Sequence, residues 1–374
     1  MSSLQPAPTP TAEGYYIGLM SGPSLDGVDA VLVRFARQGL DALHHLWLAC
    51  PPQLRRDFHA LEAGAAYPIE RVLELGLRMS GLFAEGCLTL LGQAGVQARQ
   101  VQALGCHGPT LLNRPQQGYC LQLNQPAQLA ERTGITVVTD FPSRDIAAGG
   151  QGTVLTAAFL DAMLRPRRCH GAVALLGGIA HLIDLPVKGP VRAFDCGPGT
   201  LIMDAWVQRH WGCDYDPAGG LAAQGRVLEG LLQVLLVHPY FALPPPKSAG
   251  RETFTLEWLQ RELSGREREE DVLATLLELT ARVIANAVRS HCAGTAELWV
   301  AGGGAHNEQL LQRLAYYLPG VRLGLTDALG LPVDSLEACA LAWLARQTLR
   351  GLPGNVPEAT GARGPRILGA IHPA

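Results

Sequence analysis

Two segments of the chain share one pattern: an apolar run, a glycine-rich turn and a second apolar run. In the first, YYIGL (15–19) leads through MSGPSLDG (20–27) into VDAVLV (28–33); in the second, GAVALLGGIAHLIDL spans 171–185. Short apolar runs broken by a small polar turn read as β-hairpins. The turn glycines Gly22 and Gly178 lie nearly half of the 374 residues apart. A chain of this length has room for two domains. The pattern therefore predicts a duplication: two similar domains, each opening on a β-hairpin, flanking a cleft.

The rest of the chain alternates strand and helix signals. Residues 69–94, 153–164, 228–238 and 271–293 carry helical spacing, whereas VQALGCHG (101–108), GITVVTDF (134–141) and ELWVAGGG (297–304) are apolar strands running into turns. Such alternation makes an α/β protein with sheets covered by helices. The polar, Pro-rich residues 1–14 read as a disordered leader. The first domain is expected over 15–145 and the second over 146–374, with the C-terminal segment packing back on the first. RPRRCHG (165–171) reads as surface linkage ahead of the second hairpin.

Composition narrows the function. Net charge is −3, which gives no basic footprint for nucleic acid. No apolar run reaches the roughly 20 residues that span a bilayer, and the leader has no signal-peptide core. Nine cysteines form no CxxC pair, which suits free thiols in a cytoplasmic protein, and eleven histidines lack metal-ligand spacing.

Five segments hold more glycine and polar residues than a turn requires: GPSLDG (22–27), DFPSRDIAAGGQG (140–152), FDCGPGT (194–200), PPPKSAGRE (244–252) and VAGGGAHN (300–307). Glycines let backbone N–H groups approach an anion. In the first turn Gly22, Pro23, Ser24, Leu25, Asp26, Gly27, Val28 and Asp29 form a candidate phosphate loop. Asp26 would repel bare phosphate, and Mg2+ between them removes the conflict; an ordinary turn with Asp26 as turn former is the plainer alternative. Asp195, expected at a strand end before Gly197 and Gly199, is a candidate general base, against an Asx-turn. Gly302, Gly303 and Gly304 could let a base or ribose lie on the backbone, with Asn307 beside them, although a tight connection explains them equally. His107, Arg144 and Gln151 are candidate substrate contacts; Lys247 and Arg251 could meet phosphate, and Glu337 opens a helix. Neither a dinucleotide fingerprint nor a P-loop motif occurs.

In this order the segments resemble anhydro-N-acetylmuramic acid kinases, members of the sugar kinase–Hsp70–actin group. YIGLMSG.SLDGVD, CHG.T, ERTGITVV.DF..RDIA.GGQG, FDCGPG..MDAW, PKS.GRE, GGGAHN, TDALG.P and LPGN.P..TGA.GPR.LG match in register from Tyr15 to Pro373. The resemblance implies two ribonuclease-H-like domains of actin/hexokinase type, ATP on the hairpin and glycine loops, and Mg2+ held through Asp26. It implies a reaction in which water opens a 1,6-anhydro ring and the released O6 is phosphorylated, with Asp195 as base and Arg144 and Glu337 as further catalytic candidates. ATP and the anhydrosugar are the implied partners, with a homodimer as the implied assembly.

This chain departs from the family pattern at loop positions. Pro23 stands for Thr, Pro109 for Gln, Asn124 and Gln125 replace Gly and a polar residue, Pro142 replaces Arg, and Leu175, His181 and Thr200 replace asparagines. Pro23 removes a hydroxyl and an N–H from the phosphate loop. The departures leave two alternatives to the family reaction: a kinase for another anhydrosugar, or a weakly active homologue that binds nucleotide or sugar.

Overall fold

A computed structural model describes residues 14–22, 25–35, 39–62 and 67–374. The expected leader lies outside them apart from Gly14, as do Pro23 and Ser24. The chain divides into two compact units. Unit 1 comprises Met1–Phe159, Glu337–Pro357 and Ala362–Ala374; unit 2 comprises Leu160–Leu336 and Glu358–Gly361.

The sheet of unit 1 is ordered β13-β7-β4-β1-β2-β3. Its strands are β1 (Tyr15–Met20), β2 (Gly27–Phe35), β3 (Leu40–Ala49), β4 (Val101–His107), β7 (Val137–Thr139) and β13 (Ala370–His372). The predicted hairpin is β1–β2, with Tyr16 opposite Val33 and Met20 opposite Asp29. β4 runs parallel to β1, and β7 parallel to β4. A small ribbon, β5 (Thr110–Arg114) with β6 (Tyr119–Gln122), stands apart from this sheet. A parallel pair needs a long crossover, and the helix Ile69–Ala94 lies in the connection that leads into β4, covering the same residues its periodicity predicts.

β1 is central and buried along most of its length, so its run is continuously apolar rather than alternating. Gly18 of β1 and Gly105 of β4 are register partners. A Cβ at Gly18 would lie 1.7 Å from the carbonyl oxygen of Ala338, and one at Gly105 would lie 2.1 Å from that of Leu341. Bare backbone at these two positions lets the helix Leu336–Leu349 lie directly on the sheet.

The sheet of unit 2 is ordered β10-β9-β8-β11-β12, with β8 (Gly171–Leu176), β9 (Ile179–Leu185), β10 (Arg192–Pro198), β11 (Glu297–Ala301) and β12 (Arg322–Leu325). Counted from each unit's first strand, both sheets run third, second, first, fourth, fifth. In both, the first three strands are antiparallel and the next two parallel. This is the ribonuclease-H-like arrangement, present twice, as the paired hairpins predict. The core of unit 2 is gathered around the helix Glu269–His291, whose Leu273, Leu276 and Ile284 pack with Phe194, Leu182 and Leu298.

One expected bound differs. The first unit runs past residue 145 to Phe159. The reason is that Asp145 is fully buried and accepts from Gly152 N at 3.0 Å and Asn355 Nδ2 at 2.7 Å, which ties the following loop to unit 1. The C-terminal segment, expected to pack back on the first domain, lies with unit 1: residues 337–357 and 362–374 belong to it, and β13 pairs with β7.

Candidate active site

Asp195 is a buried carboxylate of unit 2, 2% exposed. The structure corrects its expected place at a strand end: it lies inside β10, which continues to Pro198. The register with β9 slips between Asp195 and Gly197, so Cys196 is the extra residue of a β-bulge. A bulge bends a strand and re-aims the side chains beside it. Asp195 is the direct cross-strand partner of His181 on β9.

Both carboxylate oxygens are engaged. Oδ1 lies 2.5 Å from His181 Nδ1, and Oδ2 accepts from Ala249 N at 2.7 Å. The segment carrying Ala249 is docked along the outer edge of β10, where Asp195 N donates to Lys247 O at 3.0 Å. Tyr240 donates its hydroxyl to the Asp195 carbonyl at 3.0 Å. The Lys247 ammonium is turned to the carbonyls of Tyr240 and Phe241, at 3.2 and 3.4 Å, and lies over the Tyr240 ring. The sequence reading set Lys247 against phosphate; in the structure it braces the loop that feeds Ala249 to Asp195. Burial pulls the Lys247 ammonium below its ordinary value, against the neighbouring negative groups. Burial also pushes the Tyr240 phenol and the Cys196 thiol up, with the Asp195 charge adding to both.

Three glycine-bearing loops of unit 2 meet beside this carboxylate. Gly199 N, Thr200 N and Leu201 N donate to the carbonyls of Gly178, Gly177 and Gly178 in the β8–β9 turn, at 2.9, 3.0 and 3.1 Å. A Cβ on Gly199 would sit 2.1 Å from Gly177 O. Buried Thr280 secures the loop from below, its hydroxyl reaching Pro198 O at 3.2 Å and Gly199 O at 2.9 Å. A Cβ on Gly302, where φ is +85°, or on Gly304 would press on Leu176, while Gly303 has open space. Close backbone packing thus accounts for Gly199, Gly302 and Gly304, and a ring of Phe241 accounts for Gly197. Gly303 has the room a ligand needs. Asn307 caps the helix Glu308–Tyr317, its Oδ1 accepting from Leu310 N at 3.0 Å, so that oxygen is committed to structure.

In unit 1 the candidate phosphate turn is tied to β4. Ser21 N donates to His107 O at 3.1 Å, and Ser21 Oγ donates across the turn to Gly27 O at 2.9 Å. Asp26 is exposed, and its Oδ1 accepts from Gly27 N at 3.1 Å. Leu25 and Val28 are core residues, 1% and 0% exposed, so only their backbone can serve a ligand. Gly27 packs under the Trp47 indole, and Asp29 pairs with His45 at 2.9 Å. Gly22 is half-buried at the open end of the turn. His107 receives Gln122 Nε2 at about 3 Å, and burial brings its imidazole down to about 4. Arg144 is exposed on the short helix Phe141–Ala147, Gln151 is half-buried, and Glu337 is exposed in the first turn of Leu336–Leu349. These three belong to unit 1 and Asp195 to unit 2.

The sequence reading missed the structural role of four residues around Asp195. Tyr240, Ala249 and Thr280 act through hydrogen bonds that no local motif announces. His181 entered only as a replacement, although pairing GIAHLIDL against RAFDCGP in a hairpin register would have set it opposite Asp195.

Among the described residues no three His, Cys, Asp or Glu side chains cluster to hold a metal. A lone exposed carboxylate such as Asp26 does not make a protein cage. It does suit Mg2+, which keeps waters and takes substrate phosphates alongside one or two carboxylates.

Comparison with known proteins gives one family. The family model described as anhydro-N-acetylmuramic acid kinase matches residues 14–374. A protein of that name from Nitrosomonas europaea is 49% identical over 362 residues, covering 96% of this chain and 100% of the relative. Another from Nitrosospira multiformis is 48% identical, covering 96% and 99%. Among solved structures, (R)-2-hydroxyglutaryl-CoA dehydratase component A of Acidaminococcus fermentans aligns with a TM-score of 0.46 at 14% identity, over 87% of this chain and 99% of that one.

Proposed function

The chain belongs to the anhydro-N-acetylmuramic acid kinase family, and from that premise we infer that it uses ATP to convert 1,6-anhydro-N-acetylmuramic acid and water into N-acetylmuramic acid 6-phosphate and ADP. Near-half identity over the full length of relatives with this name disfavours both alternatives, another anhydrosugar and a weakly active binder. The observation that carries the chemistry is Asp195: a buried carboxylate with both oxygens engaged, two residues before the glycine loop that opens at Gly197.

The reaction needs one activated water. Its oxygen attacks the anomeric carbon, the bond to O6 breaks, and O6 takes the γ-phosphoryl group. Because the leaving oxygen is captured by phosphorus, the paired acid of an ordinary glycosidase is dispensable, and a single base suffices. Asp195 takes the proton from the water that attacks the anomeric carbon. Arg144, Gln151 and His107 contact the sugar, and Glu337 supports the reacting groups. The turn 22–29 offers backbone donors to the nucleotide's phosphates, and Gly197, Gly199 and Gly302–Gly304 shape the nucleotide's bed. Asp26 would hold Mg2+ through its water shell. When bound, that ion neutralises charge developing on the transferring phosphoryl group. Nine free cysteines suit the cytoplasm, and among the described residues no helix is long and apolar enough to cross a membrane.

The test is a coupled ADP-release assay with purified protein and anhydro-N-acetylmuramic acid, with mass spectrometry of the product. Sugar-dependent ADP release, with gain of one phosphoryl group and one water by the sugar, is expected. No release with this sugar, or release with a different anhydrosugar only, overturns the reading.

A further inference from the structure

At the end of β1 away from the candidate phosphate turn, unit 1 gathers donors with nothing to receive them. Tyr16 is fully buried, and its hydroxyl has no hydrogen-bond partner. The Nε–H of Arg346, on the helix Leu336–Leu349, is also buried without a partner. The Arg346 guanidinium lies over the Phe35 ring, its Cζ 5.0 Å from the centroid, and Phe35 meets the Tyr16 ring edge-on at 5.5 Å. Arg350 follows one turn later, its N–H donating to Arg346 O at 3.1 Å. Like charges four residues apart on a helix repel, yet both of these converge on one phenol. Burial raises the Tyr16 phenol, and the charges of Arg346 and Arg350 pull against that rise. Burial and then Arg350 pull the Arg346 guanidinium down. Among the described residues no carboxylate pairs with either arginine. Asp41, at the same end of the sheet, stands opposite Arg34 and pairs with it at 3.0 Å, and alternation along β2 sends Arg34 to the face away from Phe35.

We propose that Tyr16, Arg346 and Arg350 form a binding site for a phosphate group, free or carried by a small metabolite. Arginine donates and never accepts, and the Tyr16 hydroxyl is free to turn as a donor. What the cluster lacks is an acceptor that carries negative charge. Phosphate supplies both, and its oxygens match the guanidinium fork. A trapped water would pair with the hydroxyl and the Nε–H, but it would leave two like charges uncompensated. The C-terminal end of a helix favours cations, which explains arginines in this turn. It does not explain why a buried Nε–H and a buried hydroxyl are left without acceptors. Occupancy would tie the end of the helix Leu336–Leu349 to β1 and β2. That helix rests on Gly18 and carries Glu337 in its first turn, so the anion would stiffen the element on which a catalytic candidate stands.

The test is thermal unfolding and calorimetry of the full chain, with a saturating non-hydrolysable ATP analogue present so that phosphate does not report on the nucleotide's site. Inorganic phosphate and glucose 6-phosphate are the probes, each set against chloride at equal ionic strength and pH. A saturable rise in melting temperature with phosphate is expected, because a ligand of the folded state stabilises it by mass action. Arg346→Met keeps an apolar stem over Phe35 and loses the fork, so the phosphate-dependent rise should vanish whatever the variant's starting melting temperature. Tyr16→Phe keeps the ring and removes the hydroxyl alone, and affinity should fall by about tenfold or more, the weight of a hydrogen bond to a charged group. Equal affinity for the two probes assigns free phosphate, and tighter binding of glucose 6-phosphate assigns a phosphorylated metabolite. The absence of a saturable rise in the unmodified chain overturns the proposal. An equal rise in Arg346→Met, or unchanged affinity in Tyr16→Phe, overturns it as well. None of these outcomes touches the kinase reading, which fails only if the unmodified protein releases no ADP with the anhydrosugar.

Discussion

Asp195→Asn separates a catalytic carboxylate from a structural one, because the two oxygens of Asp195 have different partners. An amide offers one acceptor and one donor group where the carboxylate offers two acceptors. If the amide oxygen keeps the Ala249 N–H, 2.7 Å away, the NH2 faces His181 Nδ1, now 2.5 Å from Oδ1. The imidazole must then carry its proton on Nε2, with Nδ1 accepting from the amide. The flipped amide would leave the Ala249 N–H opposite a donor, at a cost of about 1–3 kcal/mol for an unsatisfied buried group, so the first orientation prevails. An amide cannot take the water's proton, which lowers kcat by up to about 10⁴-fold, the upper end for a lost general base, equivalent to about 5.4 kcal/mol in the barrier. The side chain keeps its shape, and the loss of a charged hydrogen-bond partner takes about 1.5–3 kcal/mol from stability. ADP release gives kcat, and calorimetry with a non-hydrolysable ATP analogue and with the anhydrosugar gives the two affinities. Near-normal affinities with kcat down by about two to four orders of magnitude are expected. A kcat within tenfold of the unmodified protein refutes the assignment, and the loss of sugar affinity together with turnover makes Asp195 a sugar-positioning group instead.

Asp26→Asn should leave the melting temperature unchanged, since the side chain is exposed, while lowering kcat by tenfold or more and raising the Mg2+ concentration for half-maximal rate; an unaltered metal titration would reduce Asp26 to a turn former. Gly18→Ala forces a methyl group to within 1.7 Å of the Ala338 carbonyl oxygen, so the helix must lift from the sheet; a loss at the upper end of about 1–3 kcal/mol for overpacking is expected in urea unfolding, and a loss under about 0.5 kcal/mol would contradict the contact. His107, held down to about 4 by burial, should stay neutral by ring-nitrogen NMR until the pH nears that value. Between its ordinary 6.5 and about 4 the unfolded chain binds a proton that the folded chain refuses, so stability falls as pH drops through this window, and His107→Gln should flatten that slope.

The periodic parts of the fold were legible in the sequence because burial imposes periodicity. The helix over 69–94 and both hairpins follow from apolar spacing alone, and the duplication follows from the hairpins. β3 escaped notice because it is an edge strand with most of its length exposed, so LDALHHLWLA shows no apolar run. The bulge at Cys196 is equally silent: a one-residue slip leaves no mark in hydrophobicity, and it is why Asp195 sits within β10 rather than at its end. The unit boundary moved for a third reason. Asp145 and Asn355 are buried partners far apart in the chain, and a single sequence carries no sign of such a pair.

The glycines show why residue type alone could not identify the site. In unit 2 most of them are required by the protein itself. Gly199 must pass the β8–β9 turn at backbone distance, Gly304 must clear Leu176, and Gly302 has a φ of +85°. Any family member with these loops needs these glycines whatever it binds. They therefore report the fold, and among Gly197, Gly199, Gly302, Gly303 and Gly304 it is Gly303 that has open space where a Cβ would stand. The same reasoning applied to Asp195 gives the opposite answer. A fully buried carboxylate is costly unless it is paired and hydrogen-bonded, and an apolar residue of similar volume would often stabilise such a site as well or better. Its retention, with a half-exposed histidine on one oxygen and a loop amide on the other, has no packing rationale of comparable weight.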